Sequence, residues 1–441
     1  MADNSSGSER TYYLKQQSPM LHFQHADPHV TLRATELKPK LDRFIEEWMR
    51  RDQKVIPDEW RMKKDLKKTS ESDSTDEEAL KKNALNYRIR IINREGSEVI
   101  DDNRDDKKSP YKRIPYFGNM GDNSQNKLLV TAKRFIELHI RCYIRELLSI
   151  IDECLPTFFL TVNFGTRQDK GFGSFLLCKD DKGTPYDRKE NEAMLASWNS
   201  TRKIYCIRYK RPADALEILS DIDILYKLLK SGINFNGVYL KSYLMLYFKA
   251  KGVDWDKKAL KHHRIAPNVY SDPSHAPTDS RADEKFVRGL LGVGDVHQWF
   301  SADKNGGKLT KPNKNGEMKA KKEKIFTSSK DPEIKRVPSP LTFKIVENVI
   351  YILIEDIDPR VMGSWFIFTN ESGGEYDLQI PSAGEFSLDE IMAGFRNYIN
   401  SGKVRGEFSK WAPKNNSRNK TDRRPVFIQQ VCQMDVFGGK P

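Results

Sequence analysis

The chain has 441 residues and carries 75 Lys and Arg against 62 Asp and Glu, a net charge of +13. That length argues against one ordinary domain and for two with separate cores, and the positive surplus suits nucleic acid first and an anionic membrane surface second. No apolar run approaches the roughly 18 residues that span a bilayer, Met1 to Arg10 lacks the apolar stretch of a signal peptide, and five scattered cysteines form no C-x-x-C pair. A cytoplasmic protein with no membrane partner follows, with Cys142, Cys154, Cys178, Cys206 and Cys432 reduced and mostly buried.

Tyr12 to His22 reads as a strand, with Ser18-Pro19 at an edge or bulge because proline has no N–H for the ladder. Leu37, Leu41, Phe44, Ile45 and Trp48 then recur at helical spacing, with Thr35 placed to cap that helix and Pro39 restricting its first turn. Lys63 to Lys82 swings from basic to acidic with few apolar residues and marks a solvated insertion. Tyr87, Ile89 and Ile91 alternate with Arg88, Arg90 and Ile92 as a short strand, and the charged Asp101 to Lys108 segment is a loop. Ile136, Leu138, Ile140 and Cys142 alternate as a strand, Ile144, Leu147, Leu148 and Ile151 follow a helix, and Thr157 to Val162 is expected as a further strand.

A second unit opens with a strand over Lys203 to Tyr209 and helices over Asp214 to Lys230 and Tyr239 to Lys249, the boundary falling between Lys179 and Ser200. Lys304 to Lys324, with eight lysines and two glutamates among Gly and Asn, is expected as a flexible basic excursion. Core-like sequence resumes at Pro340 to Ile357 and Trp365 to Thr369. Phe386, Ile391, Phe395 and Ile399 suggest a helix, and basic Lys403 to Arg424 a loop.

The strongest chemical signal is the segment Asn163 to Ser174, between whose ends Gly165, Gly171 and Gly173 permit close backbone approach. Backbone N–H groups there can meet phosphates, Arg167 and Lys170 add charge, and Phe172 is the candidate for stacking on a base. The segment lacks the spacing of a nucleotide-binding P-loop, and no dinucleotide fingerprint follows the first strand, so no cofactor is expected. Arg33, Lys38, Lys40 and Arg43 cluster at the start of the first helix, whose free N–H groups attract anions. His22, His25 and His29 lie near one carboxylate, Asp27, and no cysteine, which argues against a metal. These imidazoles leave open a metal-independent cleavage of RNA, and His262-His263 beside Arg264 suits either solvent or phosphate. No G-x-S-x-G or H-E-x-x-H motif is present, and a noncatalytic binding protein is the expectation.

The segment from Phe164 to Phe175, with its Gly-x-Arg and Gly-Phe-Gly-Ser elements, resembles the late glycine-rich loop of the RAMP superfamily of CRISPR effector proteins. Ser18-Pro19-Met20-Leu21-His22-Phe23 followed by Leu32-Arg33-Ala34-Thr35-Glu36-Leu37-Lys38 resembles the opening of the first subunit of the type III-B (Cmr) effector, and Tyr116-Phe117-Gly118 its Phe-Gly element. Phe286 to Gly292 and Arg336 to Leu341 look like the second RAMP module of such subunits; a related end-capping subunit of another type III complex fits the same motifs. The resemblance implies an α+β fold of two ferredoxin-like modules, residues 10–180 and 200–441, with helical and disordered insertions. It implies partners too: a crRNA guide gripped near its 3′ region, the paired target RNA, and the other subunits of an antiviral effector. A ribonuclease that processes guide RNA is the alternative within the same superfamily.

Overall fold

The computed structural model describes residues 7–22, 31–62, 84–100, 128–235, 238–263, 283–300, 310–312, 318–320, 322–410 and 424–438. The segments expected as a solvated insertion (Lys63 to Lys82) and a loop (Asp101 to Lys108) lie outside those residues. So do Tyr116-Phe117-Gly118, His25, Asp27, His29, Arg264 and the side chain of His22.

Period-two alternation builds the first sheet: Tyr12 and Leu14 are buried from β1 (Glu9–Gln16), which continues through α1 (Ala34–Arg51) to β2 (Arg88–Ile92). Then come β3 (Ile136–Arg141), α2 (Arg145–Thr161) and β4 (Phe175–Leu177). The strands pair antiparallel in the spatial order β2-β3-β1-β4. This is the β-α-β-β-α-β connectivity of a ferredoxin-like module. Leu37, Leu41 and Ile45 of α1 and Leu147, Ile151 and Phe158 of α2 share one core with Leu14, Leu138 and Ile140 of the sheet.

The same order then returns. β5 (Ile204–Arg208), α3 (Ala215–Lys230), β6 (Leu341–Val346), β7 (Val349–Ile354), α4 (Leu388–Asn400) and β8 (Met434–Phe437) form an antiparallel sheet in the order β6-β7-β5-β8. Asp214 starts α3 through a capping box with Glu217. Between α3 and β6 lie the helix Tyr243–Ala250 and the turn Val287–Leu291. A third four-stranded sheet is made by Val296–Phe300, Lys322–Ser329, Trp365–Asn370 and Glu375–Gln379. The two repeats are joined by a small apolar cluster that sets Leu160, Leu176 and Leu195 against Ile204, Cys206, Val346, Tyr351 and Leu353. The fold is α+β, and the five cysteines are buried and unpaired.

Several local expectations are corrected. Thr157 to Val162 is not a strand: α2 continues to Thr161, whose hydroxyl donates to the Thr157 carbonyl at 3.0 Å. Leu155, Phe158, Phe159 and Leu160 are all buried, and an apolar run enclosed on every side has the same pattern in a helix as in a strand. The first strand stops at Gln16, and Met20–His22 pairs instead with Leu128–Ala132 in another sheet. Thr35 does not cap α1; Arg33 is the N-cap residue, its side chain making no capping hydrogen bond, and Thr35 lies inside the first turn. Val238–Leu240 is a strand, and the helix begins only at Tyr243 behind a Ser242 cap. In the basic excursion Thr310–Pro312 pairs with Met318–Ala320, and the start of the basic tail is a helix, Gly402–Ser409, that buries Val404 and Phe408.

Candidate nucleic-acid interface

Beyond Thr161 the chain turns through Asn163 to Ser174 before entering β4, and this glycine loop is closed by a bridge between Asn163 and Ser174. Its other support is the Ser18-Pro19 kink. The Pro19 carbonyl accepts from the Gly173 N–H at 2.9 Å, the Leu21 carbonyl from the Thr166 N–H at 3.2 Å, and the Ser18 hydroxyl from the Ser174 N–H at 2.9 Å. Two segments singled out far apart in sequence thus form one substructure. Gly173 sits at φ +63°, and a Cβ there would stand 1.9 Å from the Phe164 carbonyl oxygen.

The glycines do a different job from the one the sequence suggests. The Gly165 N–H donates to Glu36 Oε1 at 2.7 Å, the Gly171 N–H to the Gln168 carbonyl at 3.4 Å, and the Gly173 N–H to Pro19. Each N–H is therefore engaged inside the protein. At Gly171 a Cβ would lie 2.7 Å from the Ile222 Cδ1, so that glycine lets α3 approach. Phe172 is fully buried in the core of the second repeat and offers no ring face to a base; it plugs one module into the other. Lys170 is buried too, its Nζ 3.0 Å from Asp169 and 3.3 Å from the centre of the Tyr226 ring, and burial draws its pKa down to about 8 against the pull of Asp169. Lys38 is tied to Asp42 and the Leu85 carbonyl, both at 2.9 Å, and lies over the Tyr87 ring.

What remains of the expected cluster faces a cleft of about 960 Å³ between the two repeats. Lys40, Arg43, Gly165 and Arg167 line it from the first repeat; Arg336, Ser339 and Thr342 line it from the second. Arg43 and Arg336 are exposed and make no ion pair among the described residues. Arg167 is half-buried at φ +59°, and burial lowers its pKa, opposed by Asp169 and Asp223. Lys40 donates to Glu36 Oε1 and to the Asn163 carbonyl, both at 2.9 Å, and to Gln168, which fixes the loop against α1; burial lowers its pKa. Four acids line the cleft: Glu47 is held by Arg50 and Arg51 and Asp169 by Lys170, Asp295 is exposed, and burial raises the pKa of Glu355. Arg33, Lys38, Lys170, Gly171, Phe172 and Gly173 do not line the cleft.

The cleft is fixed from below by a side chain that sequence reasoning missed. Lys344 of β6 is completely buried and donates to the Val162 carbonyl at 2.8 Å, Asn163 Oδ1 at 3.0 Å and the Phe175 carbonyl at 3.2 Å. Burial, with the charge of Lys40, holds its pKa well below the usual lysine range. The Asn163 amide donates in turn to the Phe343 carbonyl at 2.9 Å, and the Phe343 N–H to the Asp169 carbonyl at 3.0 Å. Arg336 was also missed as a site residue, although its Arg336 to Leu341 segment carried the resemblance; the Val293 N–H, donating to the Val337 carbonyl at 3.0 Å, holds that segment at the cleft wall.

Residues 7–233 match the family model described as the Cmr1 N-terminal domain, and residues 239–419 that of the Cmr1 C-terminal domain. No curated protein matches the chain. Among the described residues no helix is long and apolar enough to cross a membrane, and no group of three or more His, Cys, Asp or Glu is placed to hold a metal ion.

Proposed function

The chain belongs to the Cmr1 family of type III-B (Cmr) CRISPR effector subunits, and from that premise we propose that it is a noncatalytic RNA-binding subunit at one end of the complex. It holds the backbone of the crRNA guide and its complementary target in the cleft between two modules, residues 10–180 and 200–441. The observation that carries this reading is the convergence of Arg43, Arg167 and Arg336, from three separate segments and both modules, on one cleft. Planar guanidinium groups suit phosphate oxygens, and such contacts position a strand while base pairing reads its sequence.

The test is the salt dependence of RNA binding by the purified chain. Each cation that neutralises a phosphate of a single strand contributes about 0.7 to the slope of log K against log salt, so the triple change Arg43→Ala, Arg167→Ala, Arg336→Ala lowers the slope by about 2 and weakens binding most at low salt. An unaltered slope refutes the cleft as the phosphate site. RNA incubated with the protein in EDTA stays intact; cleavage that His22→Ala abolishes would establish the ribonuclease alternative instead.

A further inference from the structure

One helical turn along α1 from the cleft, a second and smaller opening is built from aromatic rings. Phe44, which lines the large cleft, stacks on Trp198 with ring centroids 4.3 Å apart, and Trp48 lies nearly parallel to Trp198 at 5.7 Å and 14°. The Arg51 guanidinium stands 3.7 Å from the centre of the Trp198 ring. Beside them opens a cleft of about 330 Å³ lined by Trp48, Arg51, Trp198, Asp52, Glu153 and Met194. That volume falls at the small end of the roughly 300–1,000 Å³ typical of ligand sites. Both tryptophans are half-buried, and the Arg51 side chain is 40% exposed.

The rings pack helix Arg188–Trp198 against α1, and the cleft beside them leaves Trp48 and Trp198 each partly exposed. We infer that Trp48, Trp198 and Arg51 form a stacking subsite for one unpaired nucleobase of the RNA strand whose phosphates lie in the large cleft. This rests on the function proposed above. Bases stack on aromatic rings and on guanidinium planes alike. The rest of the lining selects a base over a phosphate. Arg51 is already paired with Glu47 at 2.8 Å, and the carboxylates of Asp52 and Glu153 repel an anion but accept hydrogen bonds from an exocyclic amine. Adenine, guanine or cytosine is therefore preferred to uracil. Phe44 and Trp48 are four residues apart on one helix, a rise of about 6 Å, so the two clefts are close enough for one strand to use both.

The experiment is an abasic scan of a short single-stranded RNA against the full-length chain, repeated with Trp198→Ala and Trp198→Phe. With the unaltered protein, one abasic position lowers affinity about 5- to 150-fold, the range of base–aromatic stacking, while uracil there binds more weakly than adenine. Trp198→Ala shows the same loss on the intact strand, no further loss on the abasic one and an unchanged salt slope; Trp198→Phe retains most of the affinity. Equal tolerance of an abasic site at every position in the unaltered protein, which needs no variant to fold, overturns the subsite. So does normal binding by Trp198→Ala. If the triple arginine change flattens the salt slope while the abasic scan is flat, the subsite fails and the phosphate cleft stands; if neither responds, both fail.

Discussion

Gly173→Ala separates the architectural role of the glycine loop from a role in meeting phosphate. At φ +63° any Cβ costs about 1–2 kcal/mol. Here the added carbon would also lie 1.9 Å from the Phe164 carbonyl oxygen, 2.8 Å from its carbonyl carbon and 3.2 Å from its nitrogen, all backbone atoms that cannot swing away. The Phe164 backbone must move. That weakens its N–H bond to the Gly173 carbonyl, 3.0 Å long and worth about 1 kcal/mol. It also displaces a fully buried ring set among Phe158, Phe159 and Phe175 at centroid distances of 5.8–6.0 Å, and strain of that kind in a packed core costs about 1–3 kcal/mol. The sum is about 3–6 kcal/mol. Gly252 is the internal control: its φ is +79°, but nothing lies within 4 Å of its Cβ position, so Gly252→Ala carries only the conformational part, about 1–2 kcal/mol. Urea unfolding followed by tryptophan fluorescence measures both. A Gly173→Ala loss within about 1 kcal/mol of the Gly252→Ala loss would refute the argument, since it would mean that the loop yields freely and that its glycines are not there for packing.

Lys344→Ala strips three buried oxygen acceptors of their donor and leaves a cavity between the repeats, and it is expected to cost about 3–5 kcal/mol; an unfolding midpoint equal to that of the unaltered chain would show that Lys344 is no staple. Lys170 has a folded pKa of about 8, below its ordinary 10.5, so between those values the unfolded chain holds more protons and the Lys170 contribution to stability rises with pH; below about 8 it does not change. The stability difference between the unaltered chain and Lys170→Met, measured by urea unfolding from pH 7 to 10.5, should therefore grow in favour of the unaltered chain by up to about 3 kcal/mol, and a flat difference would contradict the buried position of this ammonium.

Periodicity was informative wherever an element has one wet face. β3 shows alternating burial at Ile136, Leu138 and Ile140, and α1 buries Leu37, Leu41, Phe44 and Ile45 of the residues its spacing marks while Trp48 stays half-buried. The end of α2 was not legible, because Leu155 to Leu160 is enclosed on nearly all sides and periodicity vanishes with the wet face. In the site, net charge misled where neighbours neutralise it. Lys38 pairs with Asp42 and Lys40 with Glu36 at helical spacing, partners readable by the one-turn rule, whereas Lys170 pairs with the adjacent Asp169 in the loop, where that rule does not apply. Arg43 has Glu47 one turn on, but that carboxylate is taken by Arg50 and Arg51, and only coordinates reveal the competition. Phe172 and Lys344 were hidden for a related reason, since both act between modules and no local pattern records a partner so distant in sequence.

The loop's strain bears on the same question. Arg167 is a non-glycine residue at φ +59°, a conformation that costs about 1–3 kcal/mol and persists only where the surroundings impose it. The surroundings do so from several sides. The Arg167 carbonyl accepts from the Lys170 N–H at 2.9 Å, the Asn163 amide grips the Gln168 carbonyl at 2.6 Å, the Phe343 N–H holds the Asp169 carbonyl, and Phe172 is locked in the neighbouring core. A loop needed only to join α2 to β4 gains nothing from an arginine at such a position, where glycine would relax it. The strain is accounted for if the guanidinium is the purpose. Under the proposed function, the three glycines and the buried phenylalanine hold one cation at the cleft, and phosphate contact falls to Arg167 with Arg43 and Arg336, which line the same cleft, instead of to the loop's backbone.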